Sequence, residues 1–230
     1  MIYAHIDGQK RQPLRKGERT ACRDCAGLLS AVMPVQNVAH WRHQRGDCDP
    51  WSEPEGAWHL GWKERFDPAF REIGLRDPAT GELHRADLLC NDGTPQATVV
   101  ELQHSPISED ARIAREAFYR RGRRMFWLIH LHDDQSFLGT NFSFSLDFSQ
   151  DLLIAADGQR FSLMRWIGRS KQFIEKWKRA DAHVFFDLGG HIFQLAPCSW
   201  LLSQGRALKP GEFALSELTR DAFIRAVHGG

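Results

Sequence analysis

The sequence predicts an α/β fold, with a mixed central sheet flanked by helices and a small N-terminal metal-binding module in front of it. Three observations predict it. "LHRADLLC", "ATVVELQ" and "RMFWLIHL" are short apolar runs of strand character, and "SEDARIAREAFYRRGRR" between the last two carries a helical period. Before them, "CRDC" and "HWRHQRGDCD" bring cysteine and histidine together in a short segment that apolar burial alone would not hold.

Composition bounds the setting. A chain of 230 residues suits one sizeable core, or a core with a satellite, and the pattern divides into segments 1–50, 51–150 and 151–230. Lys and Arg number 30 against 29 Asp and Glu, a net charge of +1. Global charge therefore excludes a strongly basic nucleic-acid binder, and any basic face must be local. Five cysteines, an odd number with two of them closely spaced, fit a reducing, cytoplasmic setting and a metal site better than a disulfide framework. No run approaches the roughly 20 apolar residues that span a bilayer, so no membrane partner is expected.

Element by element, "MIYAHIDGQKRQP" alternates Ile2, Ala4 and Ile6 and turns at Asp7-Gly8, the pattern of a hairpin. "WSEPEGAWHLGWKERF" predicts a helix with Ser52 as cap, Pro54 in the first turn and Glu55 completing a capping box. Strands follow at "FREIGLRD", "LHRADLLC" and "ATVVELQ", then the helix, then "RMFWLIHL". In the tail, "QRFSLMRWIGRSKQFIEKWKR" is compatible with a helix over much of its length. "HVFFDLGGHIFQL" predicts two strands joined at Gly189-Gly190. "ALSELTRDAFIRAVHGG" spaces Leu215, Leu218, Phe223 and Val227 as a helix does.

Cys22 and Cys25 form a C-x2-C pair, and His43 and Cys48 close the set, with His40 in reserve. Four such ligands would hold zinc tetrahedrally in a structural role, because a full shell leaves no position for substrate. The alternative is a group of unrelated thiols and surface histidines. Further on, Glu55, His59 and Lys63 are spaced four apart and share one face of the predicted helix, with Trp58 and Trp62 in an adjacent stripe. A capping acid and an ordinary Glu/Lys pair would give the same spacing.

Asp87 and Glu101 raise a sharper question, because a buried unpaired carboxylate is costly. A divalent cation shared at the strand ends would make both useful, since Mg²⁺ takes hard oxygen ligands. Alternation along the strand puts Gln103 on the Glu101 side.

These residues together resemble a known family. Glu55, Asp87 in "RAD", Glu101 and Gln103 in "VVELQHS", and Arg115 and Tyr119 in "RIAREAFY", preceded by "CRDC" and "HWRH", look like the competence protein CoiA-like nucleases of the PD-(D/E)xK superfamily. The resemblance covers roughly residues 20 to 132. It implies a restriction-endonuclease-like sheet and hydrolysis of DNA phosphodiesters with Mg²⁺ or Mn²⁺ held by Asp87 and Glu101. Position 103 departs from the family pattern, being Gln where a Lys is usual. Glutamine keeps a donor and an acceptor but no charge, so Lys63 is the expected carrier of the missing ammonium. His59 would shuttle a proton or bind phosphate.

Arg112, Arg115 and Tyr119 are the expected DNA contacts. They open a run continuing through Arg120, Arg121, Arg123 and Arg124. A second basic stretch holds Arg165, Arg169, Lys171, Lys176, Lys178 and Arg179, interleaved with Phe161, Trp166, Phe173 and Trp177. Either it binds phosphates and stacks bases, or its aromatics are core and its charges the solvated face. DNA, single- or double-stranded, is the expected partner, and double-strand cutting would favour a homodimer. The competing expectations are a non-cleaving DNA-binding relative and a zinc-stabilised protein-interaction module.

Overall fold

Asp7 and Gly8 both adopt positive φ (48° and 79°), the geometry of a tight hairpin turn, and they join β1 (Ala4–Ile6) to β2 (Gln9–Arg11) as the sequence predicts. The computed structural model describes residues 1–131, 144–146, 152–166 and 171–230. These fall into two units, Met1–Leu89 and Cys90–Gly230, where the sequence pattern suggested three segments.

In the first unit, β3 (Arg19–Ala21), β4 (Leu28–Val32) and β5 (His40–His43) make an antiparallel sheet. Its inner face packs Leu29 and Trp41 with Ala4 and Cys22. Helix α1 (Ala57–Lys63) follows, then a single 3-10 turn at Pro68–Phe70 and the antiparallel pair β6 (Arg71–Arg76) and β7 (Leu83–Cys90).

The first fifty residues are not separate from α1, β6 and β7. Glu72 on β6 accepts the backbone N–H groups of Ile2 and Tyr3 at 2.8 and 2.9 Å. Arg85 on β7 binds Asp24 at 2.7 Å, and its backbone N–H donates to Asp49 at 2.8 Å. Buried hydrogen bonds to charged groups are worth about 1.5–3 kcal/mol each, enough to fuse this short N-terminal segment to its neighbour.

Helix α1 starts later than the sequence suggests. Its N-cap is Gly56, so Ser52 is not the cap and Pro54 lies outside the first turn. The His59 imidazole supplies the missing cap by accepting the Gly56 N–H through Nδ1 at 3.3 Å. Glu55 therefore precedes the helix and shares no helical face with His59 and Lys63.

The second unit holds a large mixed sheet in the order β10-β12-β15-β14-β13-β9-β8, with β11 also on β12. Its members are β8 (Thr98–Gln103), β9 (Arg124–Leu131), β10 (Phe144–Leu146), β11 (Leu152–Ile154), β12 (Arg160–Trp166), β13 (His183–Leu188), β14 (His191–Leu195) and β15 (Glu212–Leu218). β8, β9 and β13 run parallel and the other pairings are antiparallel. Every residue of β8 is buried, as a parallel strand covered on both faces requires. Helix α2 (Glu109–Tyr119), capped by Ser108, crosses from β8 to β9. The element order α1, β6, β7, β8, α2, β9 is the expected one: helix, three strands, helix, strand.

The tail corrects two expectations. "QRFSLMRW" is strand β12, and only Lys171–Lys178 is helical (α3). Phe161, Met164 and Trp166 are buried, and β12 pairs with β15, so sheet pairing overrides an ambiguous apolar pattern. Likewise Leu215 and Leu218 lie on strand β15; after the short α4 (Cys198–Ser203), the last helix, α5 (Arg220–His228), begins only where Thr219 caps Ala222. The hairpin of β13 and β14 turns at Gly189-Gly190, both at positive φ, as predicted. No helix among the described residues is long and apolar enough to cross a membrane.

Candidate functional site

The C-x2-C turn is built by the backbone. Ala26 donates to the Cys22 carbonyl at 2.8 Å and Cys22 to the Gly27 carbonyl at 2.8 Å, folding both thiols to one side. β5 carries His43 to the same place, and Cys48 arrives from the loop beyond it. The ligand atoms of Cys22, Cys25, His43 and Cys48 all lie within 4.8 Å of one another, a group able to hold a metal ion. Cys22 Sγ is 3.9 Å from Cys48 Sγ, and Cys25 Sγ is 3.5 Å from His43 Nε2. A tetrahedral zinc shell with ordinary bond lengths has edges of about 3.8 Å between sulfurs and about 3.5 Å between sulfur and nitrogen. The set is the one expected from sequence; His40 turns its Nδ1 to the Val38 carbonyl at 3.0 Å instead.

The surroundings suit a closed thiolate site. Gly27 N–H points at Cys25 Sγ at 3.3 Å, and a Cβ at position 27 would press on that sulfur and on the His43 ring. Asp47 lies 3.4 Å from His43 Nδ1 without a hydrogen bond between them, while Nε2 faces Cys25 Sγ and is the nitrogen available to a metal. With Zn²⁺ bound, three thiolates would leave one net negative charge, which the Arg85 guanidinium is placed to offset. It sits 3.4 Å from Cys48 Sγ and 3.7 Å from Cys22 Sγ, and is held there by Asp24. Gly74, cross-strand from Arg85, gives Asp24 its room, since any Cβ there would collide with its carboxylate. Arg85→Ala is expected to lower zinc affinity about 10- to 100-fold in competition with a chelator. A change of less than twofold would show that these sulfur contacts do not support the metal.

Two residues along β7, Asp87 belongs to a different cluster. Arg71 pairs with Leu88 and Ile73 with Ala86, so Glu72 falls opposite Asp87. Like charges directly across a strand pair repel. Lys63, fully buried at the end of α1, resolves this: its Nζ lies 2.9 Å from Glu72 and 2.8 Å from Asp87 and also bonds Glu55. Glu72 reaches this position with a φ of +48°, a strained backbone for a side-chain-bearing residue.

Three carboxylates around one ammonium leave excess negative charge, and the protons follow. Burial would lower the Lys63 ammonium, but Asp87, Glu55 and Glu72 outweigh it and hold it well above its usual range. Burial would raise Glu72, yet Lys63, the N-terminal amine and the Tyr3 N–H hold it well below the usual carboxylate range. Glu55 takes the strain: burial, with Glu72 and Asp87 adding and Lys63 opposing, pushes it up to about 8.

In the second unit, Glu101 is buried on β8 and its carboxylate lies 3.5 Å from Arg115 of α2. Gln103 donates to the Ser105 carbonyl at 2.8 Å and to its hydroxyl at 3.1 Å. The expected DNA contacts on α2 are corrected by burial. Arg112 and Tyr119 are each 1 % exposed, and Arg112 binds Glu116 at 2.7 Å within a network that also takes the Trp127 indole N–H. An arginine so enclosed presents no guanidinium to a phosphate. Farther along the run, Arg120 pairs with Asp181, Arg123 with Asp92, and Arg124 binds Thr98 and the Val227 carbonyl.

Most of the described cations of the second basic stretch are likewise paired, Lys171 remaining exposed. Phe161, Trp166 and Trp177 are buried, while Arg165, Lys178 and Arg179 pair with Glu212, Glu175 and Glu109, and Lys176 caps the Ile107 carbonyl. Arg169 lies outside the described residues.

Sequence reasoning missed Glu72 and Arg85. The signal for Glu72 was the same one that exposed Asp87, a carboxylate inside the strand "FREIGLRD". Arg85 carried none, because its partners are distant in the chain.

Searches against protein-family models, curated proteins and solved structures find no match.

Proposed function

We propose that this chain is a metal-dependent nuclease of the PD-(D/E)xK kind, with a restriction-endonuclease-like core and a structural zinc in its N-terminal module. The observation that carries the reading is the Lys63 ammonium 2.8 Å from Asp87, beside Glu55 and Glu72. A lysine from a helix thereby stands next to the carboxylate that the resemblance assigns to metal, while the usual lysine position holds Gln103. The donor set fits a hard divalent cation: oxygen ligands only, with negative charge in excess of the one ammonium. The element order from α1 to β9 supports the same reading.

In this reading Asp87, with Glu55 and Glu72 beside it, binds metal in the first unit, and Glu101 of the second unit keeps the metal-binding role that the resemblance assigns it. A bound Mg²⁺ or Mn²⁺ would supply an activated water and offset charge on the phosphate. Lys63 orients the three carboxylates and holds Glu72 well below the usual carboxylate range, and its ammonium is the group available to steady a developing negative charge. Glu55, holding a proton near neutral pH, is the group available to give one to the leaving oxygen or take one from water. His59 drops out as a proton shuttle, because its ring caps α1 and is buried.

A second reading, a non-cleaving DNA-binding relative, is favoured by one observation: Asp87 and Glu101 each already have a cation, Lys63 and Arg115. Incubation of supercoiled and single-stranded DNA with Mn²⁺ separates the two. The nuclease reading expects nicking by wild type and a loss of about 100-fold or more in folded Asp87→Asn, the scale of removing one catalytic charge-stabilising group. No metal-dependent cleavage of either DNA, or equal cleavage by both proteins, would refute it.

A further inference from the structure

Charge in this near-neutral chain is unevenly placed. Residues 1–48 hold eight lysines and arginines against four aspartates and glutamates, so the rest of the chain is slightly acidic. Three of those four acids are engaged internally: Glu18 with Arg11, Asp24 with Arg85, and Asp47 with His43. The basic side chains of the three-stranded sheet are not engaged in this way.

Register decides where they point. Arg19, Ser30 and Arg42 are successive cross-strand partners on β3, β4 and β5. Their neighbours Thr20, Leu29 and His43 form the next row, which turns inward to the core and the metal ligands. Alternation therefore puts Arg19 and Arg42 on the outer face, and both are exposed. Neither has a hydrogen bond or ion pair among the described residues. Exposed Arg15 and Lys16 lead into β3, and exposed Arg45 follows β5.

We infer that this outer face is a docking surface for the phosphate backbone of duplex DNA. The inference rests on the nuclease reading for its choice of polymer and on charge for its position. Strands lie about 4.8 Å apart, so Arg19 and Arg42 are roughly 10 Å apart across Ser30. A duplex carries a phosphate charge per roughly 1.7 Å of axis, so such a span meets about six of them. Small Ser30 between the cations lets a backbone approach, and the face carries no exposed aromatic ring among its described residues to stack a base. Contacts of this composition hold a strand without reading its sequence. The metal keeps the opposite side of the same sheet in place, and the stretches on α2 and after it have largely spent their charge on carboxylates.

The test measures binding of a fluorescent 20-base-pair duplex across a range of salt concentrations, without Mg²⁺ or Mn²⁺. Plasmid cleavage is followed in parallel for wild type and Arg19→Glu/Arg42→Glu. Zinc content confirms that the inner face is intact. The variant is expected to bind at least about tenfold more weakly at low salt, with a salt slope shallower by about 2, one unit per lost phosphate contact. Unchanged affinity with zinc retained would overturn the surface while leaving cleavage by wild type to support the nuclease reading. Equal binding of poly-glutamate at the same ionic strength would also overturn it. A wild type that neither binds nor cuts DNA would overturn both.

Discussion

Lys63→Met is expected to destabilise the protein by about 3–5 kcal/mol, the cost of stripping a buried charge cluster of its counter-ion. Methionine fills the volume, so the loss is electrostatic. Glu72 and Asp87, opposed across β6 and β7, would face each other without the ammonium that now lies within 2.9 Å of both. Urea unfolding at pH 7 measures the loss, and at pH 5 the deficit should shrink because the orphaned carboxylates can protonate. A deficit below about 1 kcal/mol at pH 7 would mean that Lys63 does not hold the cluster together.

The same cluster fixes the sign of the wild-type pH response. Glu72 is depressed on folding, so its stabilisation is present above the carboxylate range and is lost as pH falls through its lowered value. Glu55 is raised to about 8, so its contribution is present at low pH and is lost as pH climbs from the ordinary carboxylate range through about 8. Glu55→Gln, which mimics the protonated acid, should flatten the alkaline side and leave the acid side unchanged.

Withdrawal of the metal is the second large effect expected. Structural zinc in small modules contributes about 10–16 kcal/mol of apparent binding free energy, far more than the apolar cluster of Ala4, Cys22, Leu29 and Trp41 can replace. Cys48→Ser should lose stoichiometric zinc, as measured by atomic absorption, and residues 1–48 should become rapidly proteolysed. The effect should spread to β7, because Arg85 would lose the sulfurs it now faces while Asp24 would lose the turn that positions it. A Cys48→Ser protein with wild-type zinc content and protease resistance would exclude this ligand set.

Local chemistry made the Cys22, Cys25, His43 and Cys48 set legible in the sequence, because a C-x2-C turn and a nearby His and Cys satisfy a tetrahedral shell almost regardless of what surrounds them. The hairpins at Asp7-Gly8 and Gly189-Gly190 were legible for a similar reason: two residues must take positive φ, and few side chains tolerate it. The tail was not. "QRFSLMRW" and "ALSEL" carry apolar spacings that fit either period, and pairing between β12 and β15 chose the strand.

From its sequence alone, the chain determined a Cys3His group able to hold a metal, its α-β-β-β-α-β order and the presence of carboxylates where strands should be apolar. Only the tertiary structure decided which charges meet. Lys63 reaches Glu72 and Asp87 because β6 and β7 pair in one register, and Arg112 is closed off because it is buried against Glu116, whose carboxylate also takes the Trp127 indole N–H. Spacing along a chain sets which side chains share a face. What that face then touches depends on long-range packing, and whether an arginine binds phosphate or props up a helix is settled by burial that no local pattern records.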